Sequence, residues 1–174
     1  MASKLSISAV NELYYRDFIR TFGNVIEETK ICAAAVCGRR PFRSFDNFVE
    51  VMCQFIDELP KDGRAGILRN HPDLADRLES LTPESQREQT HAGITTLTKE
   101  EIQELKHYNQ LYSNKFGFPF VICARLNNKD AILKGIKSRL NNDRDQELEC
   151  GIEEVKKIMQ LRMKDLVECE DSKL

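Results

Sequence analysis

The segment 70–89 carries the polar groups whose types and spacing could do chemistry. His71 precedes Pro72, and a residue before proline is disfavoured in the helical region, so we expect the histidine at an extended joint between two helices. Pro72 suits the first position of a helix, where a missing N–H costs nothing. An imidazole titrates near neutral pH and can give or take a proton. His71 is therefore the candidate proton donor.

A second helix start lies ten residues further on. Thr82 is placed to cap it and Pro83 to open it. On this helix Ser85, Glu88 and Gln89 follow at i, i+3 and i+4, which puts a hydroxyl, a carboxylate and a carboxamide on one face. A histidine facing that row would complete a small polar pocket. The alternative is that the histidine only caps a helix and the carboxylate is solvated.

An apolar segment over residues 118–125, with the sequence FPFVICAR, is predicted to be a strand or a buried extended turn into a helix. Gly117 is a natural helix end and Pro119 prevents a restart. An extended segment leaves backbone N–H and C=O groups that must find partners when they are buried. A ligand with amide and carbonyl edges would be one such partner, and a plain hydrophobic core is the alternative.

Arg162 interrupts an inward-facing seam on the last predicted helix, whose members recur at steps of four and three residues: Leu148, Ile152, Val155, Met159, Arg162 and Leu166. A guanidinium on a core-facing stripe is costly unless an anion pairs with it. The candidate anions are Glu88 and the carboxylate of a ligand. The alternative is that the side chain extends to the surface at the helix end.

Helix signals dominate the rest of the chain. Thr98 and Glu101 form a capping box, and Asp143 with Gln146 caps the last long helix. Strand signals are too few for a sheet. We therefore predict an all-α fold, a single-domain bundle of about seven to nine helices over residues 1–174.

Composition excludes several kinds of partner. The 174 residues include 26 Lys plus Arg against 28 Asp plus Glu, with a net charge of −2. The charges are interspersed, so no basic patch predicts nucleic acid as a partner. No apolar run approaches the roughly 18 residues of a membrane span, and the N-terminus lacks a signal-peptide pattern. We expect a soluble, intracellular protein that binds neither nucleic acid nor membrane.

The six cysteines form no C-x-x-C pair, and we expect them to be reduced and mostly buried. They are Cys32, Cys37, Cys53, Cys123, Cys150 and Cys169. His71, His91 and His107 are not spaced as a ligand set. We therefore expect no metal site.

The tail over residues 170–174 ends in Ser172, Lys173 and Leu174. This tripeptide is the peroxisomal import signal, which a receptor reads at a free C-terminus. It predicts a peroxisomal location and the import receptor as a partner. A frayed polar tail is the alternative.

Several stretches, read in order, resemble the 2-oxo-4-hydroxy-4-carboxy-5-ureidoimidazoline (OHCU) decarboxylase family, which forms allantoin in urate breakdown. The resemblance spans most of the chain, and the order of the motifs is more specific than any one of them. The motifs are AAAVCGRRPF (33–42), HPDLA (71–75), LTPESQREQ (81–89), NQLY followed by KFGFPFVICAR (115–125), and EVKKIMQLRM (154–163).

The resemblance implies a cofactor-independent, stereospecific decarboxylation that yields (S)-allantoin, carried out by a homodimer on a small ureidoimidazoline substrate. It implies His71 and Glu88 as catalytic residues. The substrate-binding residues that it implies are Pro72, Ser85, Gln86, Arg87, Glu88, Gln89, Phe120, Val121, Ile122, Cys123, Ala124 and Arg162.

One departure from the family pattern lies beside the predicted pocket. Residues 76–80, DRLES, are several residues shorter than the glycine-containing loop of the family. Two other classes of function stay open: a non-catalytic helical ligand-binding homologue, and a cofactor-free hydrolase or isomerase acting on a related ureido compound.

Overall fold

A computed structural model describes residues 3–75 and 81–169. Over these ranges the chain forms nine α-helices and no sheet, with one isolated parallel bridge between Leu5 and Val167. The predicted all-α class and helix number are confirmed. The helices are α1 Ile7–Glu12, α2 Tyr15–Phe22, α3 Lys30–Cys37, α4 Phe45–Glu58, α5 Lys61–Arg69, α6 Pro83–His91, α7 Lys99–Phe116, α8 Lys129–Arg139 and α9 Arg144–Leu166.

The chain divides into two compact units. Unit 1 contains residues 3–67 and 156–169 of the described chain, and unit 2 contains residues 68–155 with the gap at 76–80. Helix α9 contributes to both units. None of the helices in the described ranges is long and apolar enough to cross a membrane. The single domain over residues 1–174 stays a prediction.

Unit 1 has an aromatic core. Its four clustered rings have neighbouring centroids 4.2–6.3 Å apart and belong to Phe18, Phe22, Phe42 and Phe48. Ser44 begins α4 by accepting a hydrogen bond from the Asn47 N–H at 3.1 Å. Burial of one face of α2 and α4 on this cluster stabilises unit 1, because each buried phenylalanine contributes about 1.5–3 kcal/mol.

Unit 2 is built around α7. The Thr98 hydroxyl accepts from the Glu101 N–H and the Glu101 carboxylate accepts from the Thr98 N–H, so the predicted capping box is confirmed. The helix ends at Gly117, whose φ of 77° is a left-handed conformation that favours glycine. Beyond it Phe118 and Phe120 pack against α7 through the buried Tyr112 ring. The apolar segment that follows α7 is thereby anchored to the core of unit 2.

The predicted helix start at Pro72 is wrong for the residues that the structure describes. Residues 72–75 are irregular, and Ala75 has a φ of 62°. The carbonyl of Leu74 and the N–H of Ala75 bond to side chains instead of to a helix. Because side chains bond both the C=O and the N–H of this one peptide group, and because Ala75 is left-handed, these residues do not propagate a helix.

A buried polar network lies behind the extended segment of unit 2. Glu147 is fully buried and accepts from Arg139 Nε at 2.7 Å, from Asn142 Nδ2 at 2.8 Å and from the Tyr112 hydroxyl. Burial is the main cause that raises the pKa of Tyr112, so the phenol keeps its proton and donates. Arg139 extends the network by donating to the Val121 carbonyl at 2.8 Å.

We predict that Glu147→Gln lowers the free energy of unfolding by about 3–5 kcal/mol, because it leaves the Arg139 charge without its buried counter-ion. Urea denaturation followed by circular dichroism measures this change. Glu104→Gln is the matched control, because Glu104 pairs with Lys137 at 2.7 Å near the surface and should cost less than about 1 kcal/mol. Equal losses in the two variants would contradict the prediction.

Candidate active site

His71 begins the irregular stretch after α5 and is buried. Its N–H donates to the Leu68 carbonyl at 3.1 Å, so the chain leaves the helix through a bonded turn. Leu68 packs tightly on α9 at Gly151, where an added Cβ would lie 2.9 Å from Leu68 Cδ1. Close packing therefore fixes the point where the chain leaves α5 and enters the irregular loop 71–75, which carries His71.

Two carboxamides hold the far end of this loop. Asn109 Nδ2, on α7, donates to the Leu74 carbonyl at 3.0 Å. The Ala75 N–H donates to Gln89 Oε1, on α6, at 3.1 Å. The loop that carries His71 is thus tied to two helices of unit 2.

Helix α6 presents the predicted polar face. The Thr82 hydroxyl accepts from the Ser85 N–H at 3.3 Å and Pro83 opens the helix, which confirms the predicted cap. Ser85 and Gln89 are buried and Glu88 is half-buried. These three side chains occupy the side of α6 that faces the interior of unit 2.

Gln86 and Arg87 point elsewhere. Gln86 Nε2 donates to the Leu81 carbonyl at 3.3 Å, and Arg87 Nε donates to the Pro83 carbonyl at 3.2 Å. The Arg87 side chain is 76% exposed. Both side chains bond back to the start of α6, so the structure does not bring them together with the polar face, and their role in substrate binding stays a prediction.

Residues 120–123 are mostly buried and form no helix; Cys123 has an extended backbone, and Ala124 begins a short 3-10 turn. The Val121 carbonyl accepts from Arg139, and the Cys123 N–H donates to Glu154 at 2.8 Å. The Cys123 carbonyl accepts from Asn127 Nδ2 at 3.0 Å. One side of this backbone is therefore bonded to the protein.

The other side of the same backbone is available. No residue that the structure describes hydrogen-bonds to the N–H or C=O of Ile122 or to the N–H of Ala124. Buried or half-buried backbone groups of this kind require partners. They are the groups of this segment that a ligand with amide and carbonyl edges can engage.

Helix α6 lies next to the end of the extended segment. Helix α6 packs against the short 3-10 turn Ala124–Leu126 that follows the segment. Burial raises the pKa of the Cys123 thiol, and the nearby carboxylates of Glu154 and Glu88 raise it further.

Arg162 belongs to unit 1 and has a buried protein partner that the sequence did not predict. Its Nη1 lies 2.7 Å from Glu27 Oε2 and donates to the Asn24 carbonyl at 2.9 Å, and the Arg162 and Glu27 side chains are 5% and 2% exposed. The anion found beside this guanidinium is thus Glu27, which was not among the predicted candidates. The predicted role of Arg162 in substrate binding stays a prediction.

Sequence reasoning missed the residues that hold the site in place. Glu27 lies in the irregular stretch between α2 and α3, where no periodicity marks it. Asn109, Arg139 and Glu154 are polar residues on helices, and only the inward position of Asn109 could have indicated its role. In the described ranges, no three His, Cys, Asp or Glu side chains cluster so as to hold a metal ion.

Comparison with known proteins places this chain in a family. The family model for OHCU decarboxylase matches residues 11–164. A protein from Amia calva named 2-oxo-4-hydroxy-4-carboxy-5-ureidoimidazoline decarboxylase is 47% identical over 95% of this chain and 96% of its own length. A Xenopus laevis protein of the same name is 44% identical over 93% of this chain and 94% of its own length.

Two solved structures are similar. A crystal structure of OHCU decarboxylase in the presence of (S)-allantoin has a TM-score of 0.67 and 27% identity over 80% of this chain and 96% of that one. A crystal structure of (S)-allantoin synthase has a TM-score of 0.77 over 96% of this chain and 56% of that one, but at 20% identity it shows only a shared fold. By sequence and by fold, the chain belongs to the OHCU decarboxylase family.

Proposed function

We propose that this chain is a lyase of urate breakdown that converts OHCU to (S)-allantoin with loss of CO2. The proposal is carried by the 44–47% sequence identity, over nearly the whole chain, to relatives named for this reaction. The buried histidine and the unengaged backbone beside the polar face of α6 supply groups that suit the chemistry.

The reaction needs no cofactor on chemical grounds. The bond between a ring carbon and the carboxylate carbon breaks, CO2 leaves, and the electron pair passes into the conjugated imine and carbonyl groups of the ring. The hydroxyl proton passes to the ring nitrogen as that hydroxyl becomes a carbonyl, and one proton added to one face of the carbon that bears the ureido group completes the product. The protein has to position the ring, stabilise the developing charge and deliver that proton.

His71 is the proton donor in this proposal. An imidazole side chain can accept and donate a proton, and the burial of His71 excludes bulk water, which would protonate either face. Glu88 orients the imidazole and stabilises its charged form. Delivery from one fixed side chain accounts for a single-handed product.

The ring and its ureido arm bind to the backbone and to α6. The N–H and C=O of Ile122 and the N–H of Ala124 pair with amide edges of the substrate. Because Gln89 Oε1 accepts from Ala75, the Nε2 of Gln89 donates to a substrate oxygen. Ser85 binds the substrate hydroxyl. The family resemblance also implies that Arg162 binds the substrate carboxylate.

The proposed location of the protein is the peroxisome. The terminal Ser172, Lys173 and Leu174, which lie outside the described residues, match the import signal. Fluorescence of a reporter fused ahead of this tail should collect in peroxisomes and disperse when Leu174 is removed. A diffuse signal from the intact tail would rule out this route of import.

We also propose that the enzyme is a homodimer, as the family resemblance implies. Unit 1 exposes large apolar side chains, among them Tyr14 and Ile31, that a second copy could cover. Sedimentation equilibrium should give twice the 20.1 kDa of one chain. A mass of one chain at micromolar concentration would refute the dimer.

The proposed function predicts rapid CO2 release and an optically active product when the protein meets freshly generated OHCU. Uncatalysed decay yields racemic allantoin, so circular dichroism and CO2 release, followed together, separate the two processes. Saturable binding of OHCU without CO2 release would indicate a non-catalytic binding homologue. Product without CO2 release would indicate a hydrolase or isomerase.

We predict that His71→Ala lowers kcat by about 100- to 10,000-fold, because the general acid is lost, while the helical circular dichroism stays unchanged. His107→Ala is the matched control, because His107 is exposed on α7 and should keep native kcat. Substantial stereospecific activity in folded His71→Ala would remove the histidine from its proposed role.

We predict that Arg162→Lys raises KM about tenfold with little change in kcat. The lysine keeps the charge beside Glu27 and so preserves the buried ion pair. It lacks the planar guanidinium, which donates two parallel hydrogen bonds to a carboxylate. Steady-state kinetics and thermal unfolding measure the two effects separately. An unchanged KM would count against contact between Arg162 and the substrate.

A further inference from the structure

Asn109 is a buried carboxamide on α7 that the proposed chemistry does not use. Its Nδ2 donates to the Leu74 carbonyl at 3.0 Å, and this bond is itself buried. Its Oδ1 is buried and accepts no hydrogen bond from any residue in the described ranges. A carboxamide kept in the interior with one half satisfied is costly, so its single bond requires an explanation.

The single hydrogen bond of Asn109 is explained by the peptide group that it holds, the one between Leu74 and Ala75. In a trans peptide the C=O and N–H point in opposite directions. Asn109 bonds the carbonyl from α7, and Gln89 bonds the N–H from α6 at 3.1 Å. The two carboxamides therefore clamp one peptide group from opposite sides.

This peptide group is held in an unfavourable conformation. Ala75 has a φ of 62°, in the left-handed region that a residue with a Cβ rarely adopts. Such a conformation persists where surrounding bonds determine it. The clamp supplies those bonds, and the loop begins at His71, three residues before the clamped carbonyl.

We propose that Asn109 is a positioning residue of the decarboxylation site, which acts through the Leu74–Ala75 peptide on both His71 and Gln89. The inference rests on the proposed function. Asn109 fixes the carbonyl, the fixed peptide directs the Ala75 N–H at Gln89 Oε1, and the bonded Oε1 turns Gln89 Nε2 toward the substrate. The same peptide ends the loop that places the imidazole.

The first test is Asn109→Leu, which keeps the size of the side chain but removes the donor. We expect kcat to fall about 10- to 100-fold, because small misplacement of a reacting group is costly, and KM to rise because Gln89 loses its orientation. Leu105→Val is the matched control, since Leu105 is fully buried one turn earlier on α7. It should lower the thermal midpoint and leave kcat unchanged.

A double-variant cycle tests the route through Ala75. Glycine adopts a positive φ without strain, so Ala75→Gly should restore kcat by about fivefold in the Asn109→Leu background and by less in the native background. Additive effects would refute coupling through this peptide. If Asn109→Leu does not fold, the smaller Asn109→Ala, which also lacks the donor, takes its place.

Hydrogen exchange at the Ala75 amide tests the clamp without substrate. Asn109→Leu should speed this exchange at least tenfold relative to native protein and to Leu105→Val. Unchanged exchange, or native kcat in folded Asn109→Leu, would overturn the proposal. If native protein releases no CO2 from OHCU, the proposed function fails, and the exchange experiment still decides whether Asn109 holds the loop.

Discussion

Buried backbone groups outside helices must find hydrogen-bond partners, and this requirement shapes the site. Two irregular stretches of unit 2 carry the proposed chemistry, residues 71–75 and 120–124. Helices supply side chains that bond to them: α6 and α7 hold the first stretch, and α8 and α9 hold the second. The helical scaffold thus fixes backbone positions as well as side chains.

The helix ends and the polar face of α6 could be predicted because their signals are local. A capping box needs only Thr98 and Glu101 three residues apart, and a cap at Thr82 needs only the proline that follows. The left-handed Ala75 could not be predicted in this way. Its conformation depends on Gln89 and Asn109, which are 14 and 34 residues away in sequence.

For buried charges, too, the local sequence does not identify a partner that is distant along the chain. The inward position of Arg162 predicted that an anion pairs with it, and the structure supplies one in Glu27. The type of interaction followed from the cost of burying a charge, but the partner lies more than a hundred residues away in an irregular stretch. Local periodicity identifies a residue that needs a partner, whereas only the folded chain identifies the partner.

The segment 120–124 has a consequence for how its sequence can vary. Successive residues of an extended chain direct their backbone groups to opposite sides. Val121 and Cys123 bond to the protein, while the groups of Ile122 stay available. In the proposed binding mode, Ile122 offers its N–H and C=O as a residue on the edge of a sheet does, and the substrate pairs with main-chain groups. On this basis a change of the Ile122 side chain should be tolerated, whereas proline, which lacks the N–H, should not be.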